Sequence, residues 1–144
     1  MLINGQSTAI LVPALALVTL SLSVWVALVT VRPRAMIAAR IPWQAARHTA
    51  DLTDLPGRAR DVADNYNHLM EQPTVFYGLV FYTYLAGSAD RISFTLAWGY
   101  VSLRALHSIV QLSRNWVPLR FWLFLWSTLL LWGLAAQNLI KLFV

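Results

Sequence analysis

Between Ile92 and Ser113 an otherwise apolar run carries Arg104, His107 and Gln111, and Arg114 follows directly. Spacings of three, four and three put these four residues on one face of a helix. A second polar stripe, Asp64, Asn67, His68 and Glu71, precedes the apolar stretch that begins at Thr74. An ionisable group inside a membrane span is costly unless paired or hydrated, so each is a functional candidate. Glu71 lies 16 residues before Gly87, about 24 Å along a helix, and His107 lies 15 residues after Ile92. At nearly equal depth, Glu71 is expected to meet His107 directly, or Arg104, about one turn deeper, through that side chain's reach. A carboxylate–guanidinium pair of this kind also serves simply to hold two helices together.

Other chemistries lack their residues. There is no Gly-rich phosphate loop, no H-E-x-x-H and no G-x-S-x-G. The absence of cysteine excludes disulfides, thiolate zinc sites and a cysteine nucleophile. His68 and His107 are the residue type that ligates haem between helices, but an isolated pair is weak support, and no metal site is expected. Gly78, Gly99 and Gly133 point to close helix packing rather than to chemistry.

The elements that carry these residues follow from composition. Of 144 residues, 58% are hydrophobic and 12% charged, about half the charge of an ordinary soluble domain. The chain reads as all-α, an integral membrane four-helix bundle forming a single domain. Spans are expected at about 8–31, 72–89, 92–113 and 120–140, with a connection at about 32–58. The second helix is expected to start behind the Pro56-Gly57 turn, with polar first turns outside the lipid. The connection is the one candidate flexible segment. A cleaved signal peptide is the competing reading of the first run, but no cation precedes it and Arg32-Pro33-Arg34 follows it like a stop-transfer flank. Uninterrupted apolar runs of this length do not fit the alternating strands of a membrane barrel.

The net charge of +5 would suggest nucleic acid in a soluble protein. Here its distribution speaks for orientation, and no nucleic-acid partner is expected. Eight arginines (32, 34, 40, 47, 58, 60, 114 and 120) flank one membrane face, and only Arg91 and Lys141 the other. That asymmetry places both termini outside the cytoplasm and the basic connections within it. Arg114 and Arg120 read first as topology and headgroup contacts.

The stretch Asn65-Tyr-Asn-His-Leu-Met-Glu71-Gln-Pro73 opens a helix, and Leu103-Arg104-Ala-Leu-His107-Ser runs on to Arg114-Asn115 and Pro118-Leu-Arg-Phe. In these motifs and in its layout the chain resembles the MAPEG family, membrane-associated proteins in eicosanoid and glutathione metabolism, and most of all a bacterial-type branch. The resemblance implies a homotrimer in a bacterial inner membrane, with sites between subunits near the cytoplasmic side. It implies glutathione as co-substrate of a transferase or peroxidase acting on lipophilic substrates. By position, Glu71, Arg104 and either Asn67 or His68 match polar residues that bind glutathione. Arg114 is placed to stabilise the thiolate, and His107 to carry the proton.

The pattern departs from the well-studied branch at several positions. Asp64 stands where that branch has an Arg seven residues before the Glu, reversing the sign of the local interaction. Pro73 follows the Glu by two residues rather than three, and His107 replaces a tyrosine. The alternative reading is a non-catalytic membrane subunit or lipid-binding module, alongside membrane lipids or a membrane protein partner, in which the same residues only tie helices together.

Overall fold

Prolines, glycines and short polar turns divide the apolar sequence into helical rods, and the computed structural model describes residues 2, 3, 6–46, 55 and 57–143. A two-residue antiparallel pairing (β1, Leu2–Ile3; β2, Gln6–Ser7) and one 3₁₀ turn lead into helix α1, Leu11–Ala38. Hydroxyls within α1 are satisfied locally. Thr19, Ser21 and Ser23 each donate to the carbonyl four residues earlier, at 2.8–3.0 Å, so they add little cost in an apolar setting.

The expected end of this rod at residue 31 is passed. Pro33 removes one backbone donor, yet the helix continues to Ala38. It stops where Arg40 takes a left-handed conformation (φ 54°), with Ile41 N–H bonding Met36 C=O and Arg40 N–H bonding Ile37 C=O. This is a Schellman closure without glycine, and Ile41 packs on Met36 beside Leu55 and Ala59. The connection expected over 32–58 is therefore helical at its start. Its residues 47–54 and 56 lie outside the described residues.

The second rod is broken rather than continuous. Helix α2 spans Gly57–Met70 and α3 spans Gln72–Leu85, with Glu71 between them at φ −82° and ψ −90°. Pro73 is the physical reason: it has no N–H for the Leu69 carbonyl and restricts the residues before it. A Gly87 turn (φ 63°) closes α3, and Asp90 caps helix α4, Arg91–Leu112. Helix α5, Val117–Phe143, returns after a hairpin in which Asn115 is left-handed (φ 47°).

The core joins all the rods through Leu17, Leu69, Phe76, Tyr100 and Leu134. Helices α4 and α5 pack along their length, most closely at Gly99, where a Cβ would come within 2.8 Å of Leu130 Cδ1. Gly133 faces Leu96 similarly, whereas Gly78, expected to pack closely, faces open space. Two helical stretches, Thr8–Ala38 and Val117–Phe143, are long and apolar enough to cross a membrane. Their exposed side chains include Leu15, Leu22, Trp25, Trp126 and Trp132, an outer surface suited to lipid. The protein is an all-α membrane bundle.

Asp90 closes the end of the bundle far from the polar stripes. Its Oδ1 accepts from Ser93 N–H and Oγ, both at 2.8 Å, while Oδ2 meets Lys141 Nζ at 2.7 Å and Gln137 Nε2 at 2.8 Å. Partial burial pushes the carboxyl pKa up, but Lys141 and the Ser93 donors outweigh it and hold it at about 2. A carboxylate depressed by folding stabilises above its unfolded pKa, about 3.9, and loses that contribution as pH falls through the folded value. The melting temperature is thus expected to decline between about pH 4 and pH 2, and Asp90→Asn to remove that part of the decline. An identical acid slope in the variant would refute this role.

Candidate functional site

The C-terminal half of helix α4 turns a polar face into the bundle. Arg104, His107, Ser108 and Gln111 are all buried, Arg104 to 1% exposure and His107 to 4%. So many polar groups can be buried together only if they find partners, and three other elements supply them. From α2, Asn65 Oδ1 accepts from Ser108 Oγ at 3.0 Å. With its amide oriented to satisfy both neighbours, Gln111 accepts from Arg120 Nη2 (3.1 Å) and from the Asn65 N–H (3.2 Å). Arg120, on the first turn of α5, also donates to Asn115 Oδ1, and Asn115 Nδ2 donates to Asp61 Oδ1. Asp61, Asn115, Arg120, Gln111, Asn65 and Ser108 form one chain that locks α2, α4 and α5 together.

Arg104 belongs to a second chain, one turn deeper. Its Nε donates to the Tyr100 hydroxyl at 3.2 Å. Tyr100 stacks on Phe76 (4.6 Å between centroids) and reaches Gln72 Oε1 at 3.5 Å, while Gln72 Nε2 donates to Thr128 Oγ1 at 2.9 Å. The guanidinium lies over the rings of Phe124 (5.2 Å) and Tyr100 (5.6 Å). Such cation–π contacts partly replace lost hydration. They leave Arg104 Nη2 buried without a hydrogen-bond partner, and Arg120 Nε is in the same position.

Between these chains lies a groove of about 290 Å³ lined by His68, His107, Val117, Arg120, Phe121 and Phe124. The His68 and His107 rings meet edge to face at 5.8 Å. The charged and titratable groups acting on His107 are Arg104, Arg120 and His68. Among the described residues no carboxylate makes an ion pair with either arginine; the ion pairs are His68–Glu71 and Asp90–Lys141. The groove is a cationic recess with apolar walls, suited to an anion that carries an apolar portion.

The residues singled out in the sequence fall into two groups. His107 and His68 line the groove, and Arg104 is buried behind it against the ring of Phe124. Glu71 does not pair with Arg104 or His107: at the α2–α3 break its side chain is 69% exposed, and its Oε2 lies 3.7 Å from His68 Nδ1. The helix break turns it outward, while aromatic rings and a tyrosine hydroxyl hold Arg104 inside. Asn67 and Asp64 are exposed on α2, and Arg114 is exposed in the hairpin. The residues that sequence spacing did not single out as site members are Arg120, Asn115, Tyr100 and Gln72. Asn115 offered one signal, as asparagine tolerates the left-handed conformation that folds α5 back onto α4.

No curated protein and no solved structure matches the chain. The sequence profile of the MAPEG family matches residues 10–140. That match spans every long helix, including both polar chains and the groove between them, and the chain belongs to the MAPEG family.

Proposed function

We propose that the chain is a glutathione-dependent transferase or peroxidase whose reacting thiolate sits in the His68–His107–Arg120 groove. The observation that carries this reading is the pair of partnerless guanidinium N–H groups, one on Arg104 and one on Arg120, with neither arginine ion-paired to a carboxylate among the described residues. Cations buried in low dielectric call for an anion, and a thiolate so placed is favoured over its thiol at neutral pH. In the reaction, His107, which lines the groove, takes the thiol proton. The sulfur then displaces a leaving group from an electrophilic carbon, or attacks a peroxide oxygen as the O–O bond breaks to give a sulfenic acid and an alkoxide. The departing anion takes up the proton held by His107, and a second glutathione thiol converts the sulfenic acid to disulfide and water. Val117, Phe121 and Phe124 offer the apolar wall along which a lipophilic substrate approaches.

Arg120 takes the thiolate-stabilising role that sequence position offers to Arg114. Glutathione has two further carboxylates, and a groove open on one side suits completion by a neighbouring copy, in line with a homotrimer. The cation asymmetry of the sequence supports a groove that faces the cytoplasm with both termini outside it, and the family resemblance supports a bacterial inner membrane.

Calorimetry of glutathione on detergent-purified protein compares two arginines. Arg120→Gln is expected to weaken binding at least about tenfold, or 1.4 kcal/mol, whereas Arg114→Ala leaves it within about twofold. Loss in Arg114→Ala with retention in Arg120→Gln would reverse the assignment.

A further inference from the structure

We propose that the groove also holds the phosphate of an anionic membrane phospholipid, so that lipid and thiol compete for it. The claim rests on the reading of the groove as an anion site and adds a second class of occupant.

Depth is the first support. Arg120 and Lys141 are 21 residues apart on α5, about 32 Å along the axis, close to the roughly 30 Å thickness of a hydrocarbon core. With Lys141 at one interface, bound to Asp90 and to the Ser88 carbonyl, Arg120 stands at the headgroup level of the other. A phosphate at that level is reached from the bilayer without crossing water.

Shape is the second support. Val117, Phe121 and Phe124 follow one another at helical spacing on α5 and are exposed, at 65%, 58% and 37%. Val117 flanks Arg120 on the headgroup side, and from Arg120 the stripe descends through Phe121 and Phe124 toward the bilayer centre. A ligand whose phosphate meets Arg120 and His107 would lay its acyl chain along this stripe. A free tripeptide has no group for it.

Charge is the third. One buried donor of each arginine, Arg104 Nη2 and Arg120 Nε, lacks a partner, and His107, 4% exposed, lines the groove. A zwitterionic headgroup carries its own ammonium into this cationic recess and is repelled. A phosphatidylglycerol headgroup carries only the negative charge. Basic pockets between helices at the cytoplasmic face bind anionic headgroups in the same way.

The test uses the whole chain in nanodiscs of phosphatidylcholine, with or without phosphatidylglycerol, and native mass spectrometry of the protein released into mild detergent. Retention of phosphatidylglycerol over phosphatidylcholine is expected, lost in Arg120→Gln and reduced in Phe121→Ala, which keeps every charge. Phosphatidylglycerol discs should raise the apparent Kd for glutathione about tenfold over phosphatidylcholine discs, and free glycerol phosphate should not. Equal retention of both lipids, retention unchanged in both variants, or competition as strong from free glycerol phosphate would overturn the proposal. If glutathione binds while lipid retention is unselective, the lipid claim alone fails. If neither anion binds, the reading of the groove fails with it.

Discussion

Arg104→Met is expected to fold at least as stably as the parent chain and to lose glutathione affinity by about 10–100-fold. The two halves of this result have different causes. Arg104 is buried to 1% exposure, stacked on Phe124 and Tyr100, with one nitrogen lacking a partner. Desolvating such a charge costs more than a single Nε bond to Tyr100 and two ring contacts return. Replacing buried charge by a well-packed apolar residue of similar volume is often neutral or stabilising, by about 1–4 kcal/mol. If the guanidinium were interhelical glue, methionine would lower the melting temperature and leave ligand binding nothing to lose. If it is kept for an anion, stability and binding move in opposite directions. Thermal denaturation and calorimetry on the same preparation separate the two cases.

Asn115 carries the second large expectation. It holds a left-handed backbone (φ 47°) and bridges Asp61 to Arg120. Asn115→Ala loses both bonds and adds backbone strain, for a cost of about 2–4 kcal/mol. Asn115→Gly keeps the conformation and loses only the bonds, so it should cost about 1 kcal/mol less. Both variants free one side of Arg120 and are expected to weaken glutathione binding several-fold. Equal melting temperatures for the two would show that the left-handed turn contributes nothing. Unchanged binding in both would show that Arg120 does not depend on Asn115.

These residues also show what the sequence made legible. Arg104, His107 and Gln111 lie on one unbroken helix, where spacing alone dictates a shared face, and the structure buries all three together. Glu71 meets neither expected partner, Arg104 nor His107, because its depth matches theirs only on a continuous helix. Pro73 breaks that helix two residues later, and the break turns the carboxylate out toward His68. Arg114 and Arg120 flank the same hairpin and read alike in sequence. Only the turn at Asn115 sends Arg114 outward and Arg120 inward, and helical periodicity does not extend across a turn. The Tyr100–Gln72–Thr128 relay joins three helices. Its members are 28 to 56 residues apart, beyond the reach of any local pattern.

The proposed role of the buried arginines is to keep the groove ready for an anionic thiol. It is tested most directly by titrating the detergent-purified chain with glutathione, following heat and ultraviolet thiolate absorbance together. Saturable binding is expected, with a thiolate signal at neutral pH that disappears in Arg104→Met. Absence of both heat and thiolate signal up to millimolar glutathione would contradict it.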